Sequence, residues 1–252
     1  MAHTAHLRSF LYAGLSQGFT EPPRRLEDWH RQTYVVGELA AAVEALPEAG
    51  VLAAALRALH HASSRVQTTK ELEDLHDSYV GIFGHRRPES IPPYETEFTA
   101  GGDFRQNQDL ADLMGFYRAF GLDLGSGDKL RERPDHIAVE LEFLHFLCWK
   151  EARARAEDNQ DHINICLDAE RKFLRDHLGR WADIFARGVE RAASHDYFTS
   201  LTGLLRALVA REATTFGIAL NPVSTPPSPR RAELEPITCG AESLVQIGGA
   251  RE

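Results

Sequence analysis

The segment that decides the fold is residues 134–150, PDHIAVELEFLHFLCWK. It opens with Pro134, which suits the first turn of a helix because a proline lacks the amide donor that is unused there. Apolar side chains then occur all round the helical projection until Lys150. A helix that is apolar on every side is typically buried among other elements. We therefore expect this helix to lie at the centre of the core.

Helical periodicity also dominates the rest of the chain. Apolar residues recur at spacings of three and four, and no alternating run bounded by turn residues indicates a strand. Thr68 with Glu71 has capping-box spacing, and Gly121 supplies a helix stop. The segments interpreted as helical are residues 5–19, 24–46, 47–59, 68–83, 103–121, 134–150, 159–192 and 197–216. The sequence predicts an all-α fold of about eight or nine helices around one core.

Two segments interrupt this pattern. Residues 84–102 contain Pro92 and Pro93, which lack amide donors and favour extended geometry in the residues before them, so a continuous helix is excluded there. Residues 221–252 hold five of the twelve prolines and are predicted to be a flexible or loosely docked tail. We expect one helical domain over residues 1–220, followed by this proline-rich tail.

The charge balance excludes some classes of protein. The chain has 28 Lys and Arg against 37 Asp and Glu, a formal net charge of −9. A nucleic-acid-binding protein normally carries a basic patch, so we expect no nucleic-acid partner, and a charged partner is expected to be basic. Three cysteines without CxxC spacing indicate a reducing compartment. Since neither a membrane-spanning run nor a signal peptide is recognisable, the expected location is the cytoplasm, without stable membrane insertion.

The twelve histidines raise the question of a metal site. His136 and Glu140 share a helical face, and Glu142 with His145 forms a single Glu-x-x-His unit, whereas a di-iron centre needs two such units on facing helices. Hydrogen-bonded or surface roles are the commoner fate of such groups. Neither a nucleophile elbow nor a phosphate-binding glycine loop is present, and Cys148 lies in an apolar pattern typical of an inert thiol. The sequence specifies no enzyme and no metal ligand set.

A proline loop follows the acidic helix that ends near Phe83. It reads IPPYETEF, residues 91–98. Proline geometry lowers the entropy cost of ordering, so this loop is able to present Tyr94 and its acidic neighbours firmly. The other interpretation is that the loop closes over the core with Tyr94 as a plug. Both interpretations stay open on the residues alone.

Two motifs, in order and about 40 residues apart, carry a resemblance to a known family. The first is YVGIF at residues 79–83 followed by PPYETEF at 92–98, and the second is PDHIAVELEFL at 134–144. With HLGRWA at 177–182, they resemble the TorD/DmsD family of cytoplasmic chaperones for molybdenum-containing oxidoreductases, over about residues 5–218. The chain departs from the family pattern at three positions, the last of which loses a tyrosine hydroxyl: Ile82, Thr96 and Phe98.

The resemblance implies a non-catalytic maturation factor. Its partner would be the apo catalytic subunit of a molybdopterin oxidoreductase, and possible clients are nitrate-, selenate- or dimethyl-sulfoxide-reductase-type and ethylbenzene-dehydrogenase-type enzymes. Recognition would often involve the client's twin-arginine signal peptide. Molybdopterin belongs to the client, so no stably bound cofactor is expected in this chain. The oligomeric state is left open.

A twin-arginine leader is cationic at one end and apolar along its body, so its receptor needs apolar walls and acidic rims. The predicted walls are Tyr79, Phe83, Pro92, Pro93 and Tyr94. The predicted arginine acceptors are Glu95, Glu97 and Asp135, although Asp135 is equally suited to capping its helix. His136 and Glu140 are expected to hydrogen-bond to each other and orient the site. The alternatives are a permanent structural subunit of an oxidoreductase, or an all-α metal-dependent enzyme or sensor that uses His136 and Glu140.

Overall fold

The computed structural model describes residues 2–44, 50–84, 90–99, 102–122 and 132–223. These ranges form nine α-helices and one short 3-10 helix, Glu95–Phe98, and they contain no β-strand. The prediction of an all-α fold is confirmed for this part of the chain. In chain order the helices are α1 (Ala2–Gly18), α2 (Leu26–Glu44), α3 (Gly50–Ser64), α4 (Thr69–Phe83), α5 (Gly102–Ala119), α6 (Ile137–Ala156), α7 (Gln160–Asp176), α8 (Leu178–Ala192) and α9 (Asp196–Phe216).

Helix α6 lies in the core, as its apolar sequence predicts. Leu141, Leu147 and Cys148 are fully buried. Helix α1 packs against α6 more extensively than any other helix does, and α7 and α8 also contact α6. Towards the C-terminal end of the helix Trp149 is 43% exposed. Glu142, in the second turn, is exposed as well, so the helix is central on most of its surface and reaches solvent at a few positions.

The predicted helix over residues 159–192 is wrong as a single helix, because the chain turns at His177 between α7 and α8. Both helices bury an apolar face, so the periodicity continues across the turn. A Cβ atom at Gly179 would lie 2.3 Å from the carbonyl oxygen of Leu174. The close approach of the two segments requires a residue without a side chain there.

The predicted cap at the start of α4 is confirmed, whereas the cap predicted for Asp135 at the start of α6 is wrong. Thr68 and Glu71 form the predicted capping box, in which each side chain accepts the other residue's backbone amide. Gly121, beyond the end of α5, has a φ of 74°. Asp135 does not cap α6, because Nδ1 of His136 accepts the capping backbone amide at 3.1 Å. Asp135 is thereby left for another role.

The C-terminal part of the described chain returns to the bundle. The amide of Val223, the last described residue, donates to the carbonyl oxygen of Arg180 at 2.9 Å. Most of the predicted tail, residues 224–252, lies outside the described residues, as does Pro47. Within the described ranges, every helix is too short or too polar to cross a bilayer.

Candidate functional site

Backbone hydrogen bonds join the proline loop to the start of α6. The Ile137 amide donates to the carbonyl oxygen of Pro93 at 2.8 Å, and the Glu95 amide donates to that of Asp135 at 2.9 Å. Between them residues 94 and 136 form an isolated antiparallel bridge. The two motifs, distant in sequence, therefore build one site.

Asp135 organises this site from a fully buried position. The Thr96 hydroxyl donates to its Oδ2 at 2.7 Å, and the Thr96 amide also reaches that oxygen. Arg133 contacts both carboxylate oxygens, with Nε 3.0 Å from Oδ1 and Nη2 2.8 Å from Oδ2. A carboxylate that accepts a bidentate guanidinium and a hydroxyl has its strongest acceptor positions in use.

Arg133 also spans the aromatic part of the site. Its guanidinium carbon lies 4.3 Å from the centre of the Tyr94 ring, which is a cation–π arrangement. The Tyr94 ring in turn meets the His136 ring edge-on at 5.3 Å. On its outer side Nη1 of Arg133 lies 3.6 Å from Oε1 of Glu97. One arginine thus connects the acids and the tyrosine of the loop.

Two further acids point into the protein interior. Nδ1 of His177 is 3.1 Å from Oε2 of Glu95, and the indole N–H of Trp181 donates to Oε2 of Glu140 at 3.2 Å. Burial raises the pKa of Glu140 well above its usual value, and the nearby Glu95 carboxyl raises it further. Burial also raises the pKa of Glu95, while His177 lowers it. The hydrogen-bond partners of both carboxyls therefore lie inside the protein.

The 3-10 helix is anchored by an apolar side chain. Phe98 is 1% exposed and packs against Trp181 and Phe185, with ring centres 5.3 and 6.4 Å away. Phe98 therefore closes the core, whereas Tyr94 stays half-buried at the surface. The interpretation of Tyr94 as the plug is wrong, and the apolar pocket accounts for a phenylalanine at position 98.

The predicted site residues differ widely in exposure. Three are half-buried and reach solvent: Tyr79, Tyr94 and Glu97. Seven are buried: Phe83, Pro92, Pro93, Glu95, Asp135, His136 and Glu140. Glu95 and Asp135 are buried and already have partners within the chain, and binding of client arginines by these two acids stays a prediction. The expected hydrogen bond between the His136 and Glu140 side chains is wrong, since each side chain bonds elsewhere.

The residues that build this site lie within a region that matches a known protein family. The family model described as "Nitrate reductase delta subunit" matches residues 45–187, more than half of the chain. The chain belongs to the nitrate reductase delta subunit family. The match includes the proline loop, the start of α6 and the turn at His177, so every contact of the site described above falls within the family region.

Several relatives of this family member are named as chaperones. The perchlorate reductase assembly chaperone protein of Dechloromonas aromatica is 35% identical over 100 residues, which cover 40% of this chain and 43% of that protein. The selenate reductase assembly chaperone protein of Thauera selenatis is 40% identical over 85 residues, 34% of this chain and 42% of the relative. A chaperone protein TorD of Vibrio cholerae is 24% identical over 206 residues, 81% and 87% of the two chains. The chain thus spans less than half the length of the first two.

Sequence reasoning missed the role of Arg133 in this family member. Its guanidinium fills the site, although neither motif includes it as a functional residue. A signal was available, since an arginine two residues before a conspicuous aspartate is within reach of it. In the sequence, His177 and Trp181 stand out only as part of the HLGRWA stretch that resembles the family. Their pairing with Glu95 and Glu140 follows from the packing of α8.

The metal interpretation finds no ligand set in the described part of this family member. No three His, Cys, Asp or Glu side chains among the described residues are grouped closely enough to hold a metal ion. The His136 ring instead caps α6, and burial lowers its pKa. The Glu140 carboxyl, one turn further on, is held by Trp181. The residues of this pair are therefore accounted for by structural contacts.

Proposed function

We propose that this chain is a non-catalytic assembly chaperone of the cytoplasm. It binds the immature catalytic subunit of a molybdopterin-containing oxidoreductase and assists cofactor insertion and export proofreading. Membership of the nitrate reductase delta subunit family supports this, as do relatives that are named as assembly chaperones. The relatives serve perchlorate, selenate and chlorate reductases, so the client is proposed to be an oxyanion reductase of this kind.

One observation carries the proposal. The proline loop and the start of α6 are fastened by two backbone hydrogen bonds and by the buried carboxylate of Asp135. A fastened loop presents its side chains at little entropy cost on binding. The side chains it presents are aromatic and acidic, Tyr94 and Glu97, with Tyr79 beside them. This is a preformed surface for a polypeptide and not a pocket for catalysis.

The neighbouring face of α4 suits a cationic, apolar leader peptide. Val80 is 54% exposed, and it borders a groove of about 380 Å³ whose acids are Glu21, Glu73 and Asp77. Arg24 also lines the groove and pairs with Glu21 at 2.8 Å, so the acids outnumber the bases there by three to one. Burial raises the pKa of Tyr79 to about 12, and the Glu21 carboxylate adds to this, so Tyr79 lies close to the acidic groove. Acidic rims around apolar side chains complement a twin-arginine leader.

Molybdopterin enters this proposal as the client's cofactor. The chain's own residues bind and hold the client polypeptide while that cofactor is inserted. No catalytic step is proposed for the site, whose buried acids and histidines hydrogen-bond within the chain. The proposed role is therefore to protect the client polypeptide and to delay its export until the cofactor is inserted.

Co-expression tests this role directly. The full chain is produced with the catalytic subunit of selenate reductase, in hosts that make molybdopterin and in hosts that do not. The chaperone is expected to co-purify with the subunit from the deficient host and to be absent from the cofactor-loaded enzyme. Tyr94→Ala should reduce recovery of the complex, and Tyr34→Ala, at a 67% exposed tyrosine on α2, is the matched control.

Two outcomes would contradict the proposal. Stable co-purification with the loaded, active enzyme indicates a permanent structural subunit instead. Failure to recover a complex with the catalytic subunits of perchlorate, selenate and chlorate reductases from either host removes the chaperone role for this class of client.

A further inference from the structure

The surroundings of Arg133 form a complete binding site for a guanidinium group. Asp135 accepts two of its N–H donors side by side, and the Thr96 hydroxyl oxygen accepts a third contact from Nη2 at 2.8 Å. Glu97 stands 3.6 Å from Nη1, and the Tyr94 ring covers one face. Paired acceptors and an aromatic face are what a planar, five-donor guanidinium prefers.

The acceptors are held in place without the Arg133 side chain. Asp135 is fixed through its own carbonyl oxygen, which accepts the Glu95 amide, and through the Thr96 hydroxyl. The adjoining bond from Ile137 to Pro93 does not involve Arg133 either. The site is therefore expected to keep its shape when the arginine leaves.

The occupant, in contrast, is at the surface. The Arg133 side chain is 43% exposed, while that of Asp135 is fully buried beneath it. Arg133 precedes α6 and belongs to no helix, so its side chain is able to swing outwards without disturbing one. An arginine that leaves the site also regains rotamer freedom.

We propose that this site receives an arginine side chain of the client polypeptide and that Arg133 is an internal surrogate, which the client's arginine displaces. The inference rests on the proposed function for the identity of the client. Competition from the tethered Arg133 lowers the apparent affinity by the fraction of molecules in which the site is open. Arg133 thus acts as an autoinhibitory contact that rejects weakly bound arginines.

Calorimetry of the full chain with arginine amide tests the site by itself. Arg133→Ala is expected to bind arginine amide about tenfold more tightly than the wild-type protein does, as an open fraction of about one tenth in the wild-type protein would give. Lysine amide, which lacks the planar fork, should show no such gain. Arg187→Ala is the control, because it removes the same charge from an exposed arginine paired with Asp183 at 2.8 Å.

The leader peptide of the selenate reductase catalytic subunit tests whether an arginine of a client displaces Arg133. Arg133→Ala should tighten its binding about tenfold, whereas Arg187→Ala should not. Should Arg133→Ala fail to fold by circular dichroism, Arg133→Met keeps the aliphatic stem over Tyr94 and gives the same readout. Replacing Tyr94 by leucine in the Arg133→Ala background should abolish the gain, because the ring supplies one wall of the site.

The results separate this inference from the proposed function. If both Arg133 variants bind arginine amide no better than the wild-type protein, the surrogate role is refuted, whatever the leader peptide does. If the wild-type protein binds the leader and neither variant binds it more tightly, displacement is refuted and the chaperone role stands. If the variants bind arginine amide but no version binds a leader, reception of a leader arginine is refuted.

Discussion

Replacing Arg8 by methionine should show how much of the bundle's stability depends on one buried cation. Arg8 on α1 contacts Glu151 on α6, Glu170 on α7 and Glu212 on α9. Its side chain is 12% exposed, and those of the three glutamates are at most 4% exposed. Arg155 gives Glu151 a second partner at 2.6 Å. Glu170 and Glu212 have no other cation among their described ion pairs.

The magnitude follows from the burial of these acids. Removing one partner of a buried ion pair typically costs about 3–5 kcal/mol, because the remaining charge is left uncompensated. Arg8→Met keeps the side-chain volume, so this cost should appear in the free energy of unfolding above neutral pH. Protonation of the glutamates removes the buried charge, so the cost should shrink in acid.

The wild-type protein should already show part of this pH dependence. Burial raises the pKa of Glu170 from 4.5 to about 7, while Arg8 opposes the rise. A raised pKa in the folded state means that the stabilisation is complete below pH 4.5 and is lost as the pH rises to 7. From this one group the loss is about 3 kcal/mol. Without Arg8 the pKa is higher still, so Arg8→Met should continue to lose stability above pH 7.

Urea unfolding followed by circular dichroism at pH 5.5, 7.0 and 8.5 measures this difference. The control is Arg57→Met, since the Arg57 side chain is 54% exposed and that of its partner Glu44 is 59% exposed. An exposed pair contributes less than about 1 kcal/mol, with little pH dependence in this range. The reasoning is refuted if Arg8→Met is no less stable than Arg57→Met at pH 8.5, or if its stability curve runs parallel to that of the wild-type protein.

Three further predictions concern the site. Phe98→Ala should lower the free energy of unfolding by about 3–5 kcal/mol in urea titrations, because it opens a cavity in the core; a loss below about 1 kcal/mol would contradict the anchoring role. Glu140→Gln should flatten the decline of the thermal midpoint as the pH rises above the ordinary range of a glutamate, because burial raises the pKa of Glu140 and its stabilisation fades with rising pH; a variant curve with the wild-type slope would contradict this. Tyr94→Ala should keep the wild-type melting temperature while weakening client binding, whereas Asp135→Ala should lower stability by about 1–3 kcal/mol because it strips Arg133 and Thr96 of their acceptor. Equal melting temperatures of these two variants would refute the buried role of Asp135.

Local sequence signals predict most of the fold. The spacing of apolar residues identifies the helices, and the predominance of apolar side chains over residues 137–147 correctly makes α6 central. The capping box at Thr68 works because its partners are three residues apart, so no distant segment is needed. The turn at His177 escapes detection because both flanking helices bury faces in the same register.

The sequence predicts which segments form the candidate site, but it does not predict which of their side chains face solvent. The two motifs correctly indicate that the proline loop and the start of α6 matter together, and they do meet. Which acids face outwards depends on partners from elsewhere, namely His177 for Glu95 and Trp181 for Glu140. A partner from a distant segment does not change the spacing of residues around the acid, so the sequence pattern does not reveal it.

Neighbours along the chain, or composition alone, are enough to predict the all-helical class, the central helix, the net acidic charge and the two motifs. Packing between distant segments is what buries Asp135 and Glu95, closes the core with Phe98, and puts Arg133 on the acceptors expected for a client's arginine. The physical reason is that a buried charge is stable only with its partners in place, and those partners are brought together by packing between distant segments.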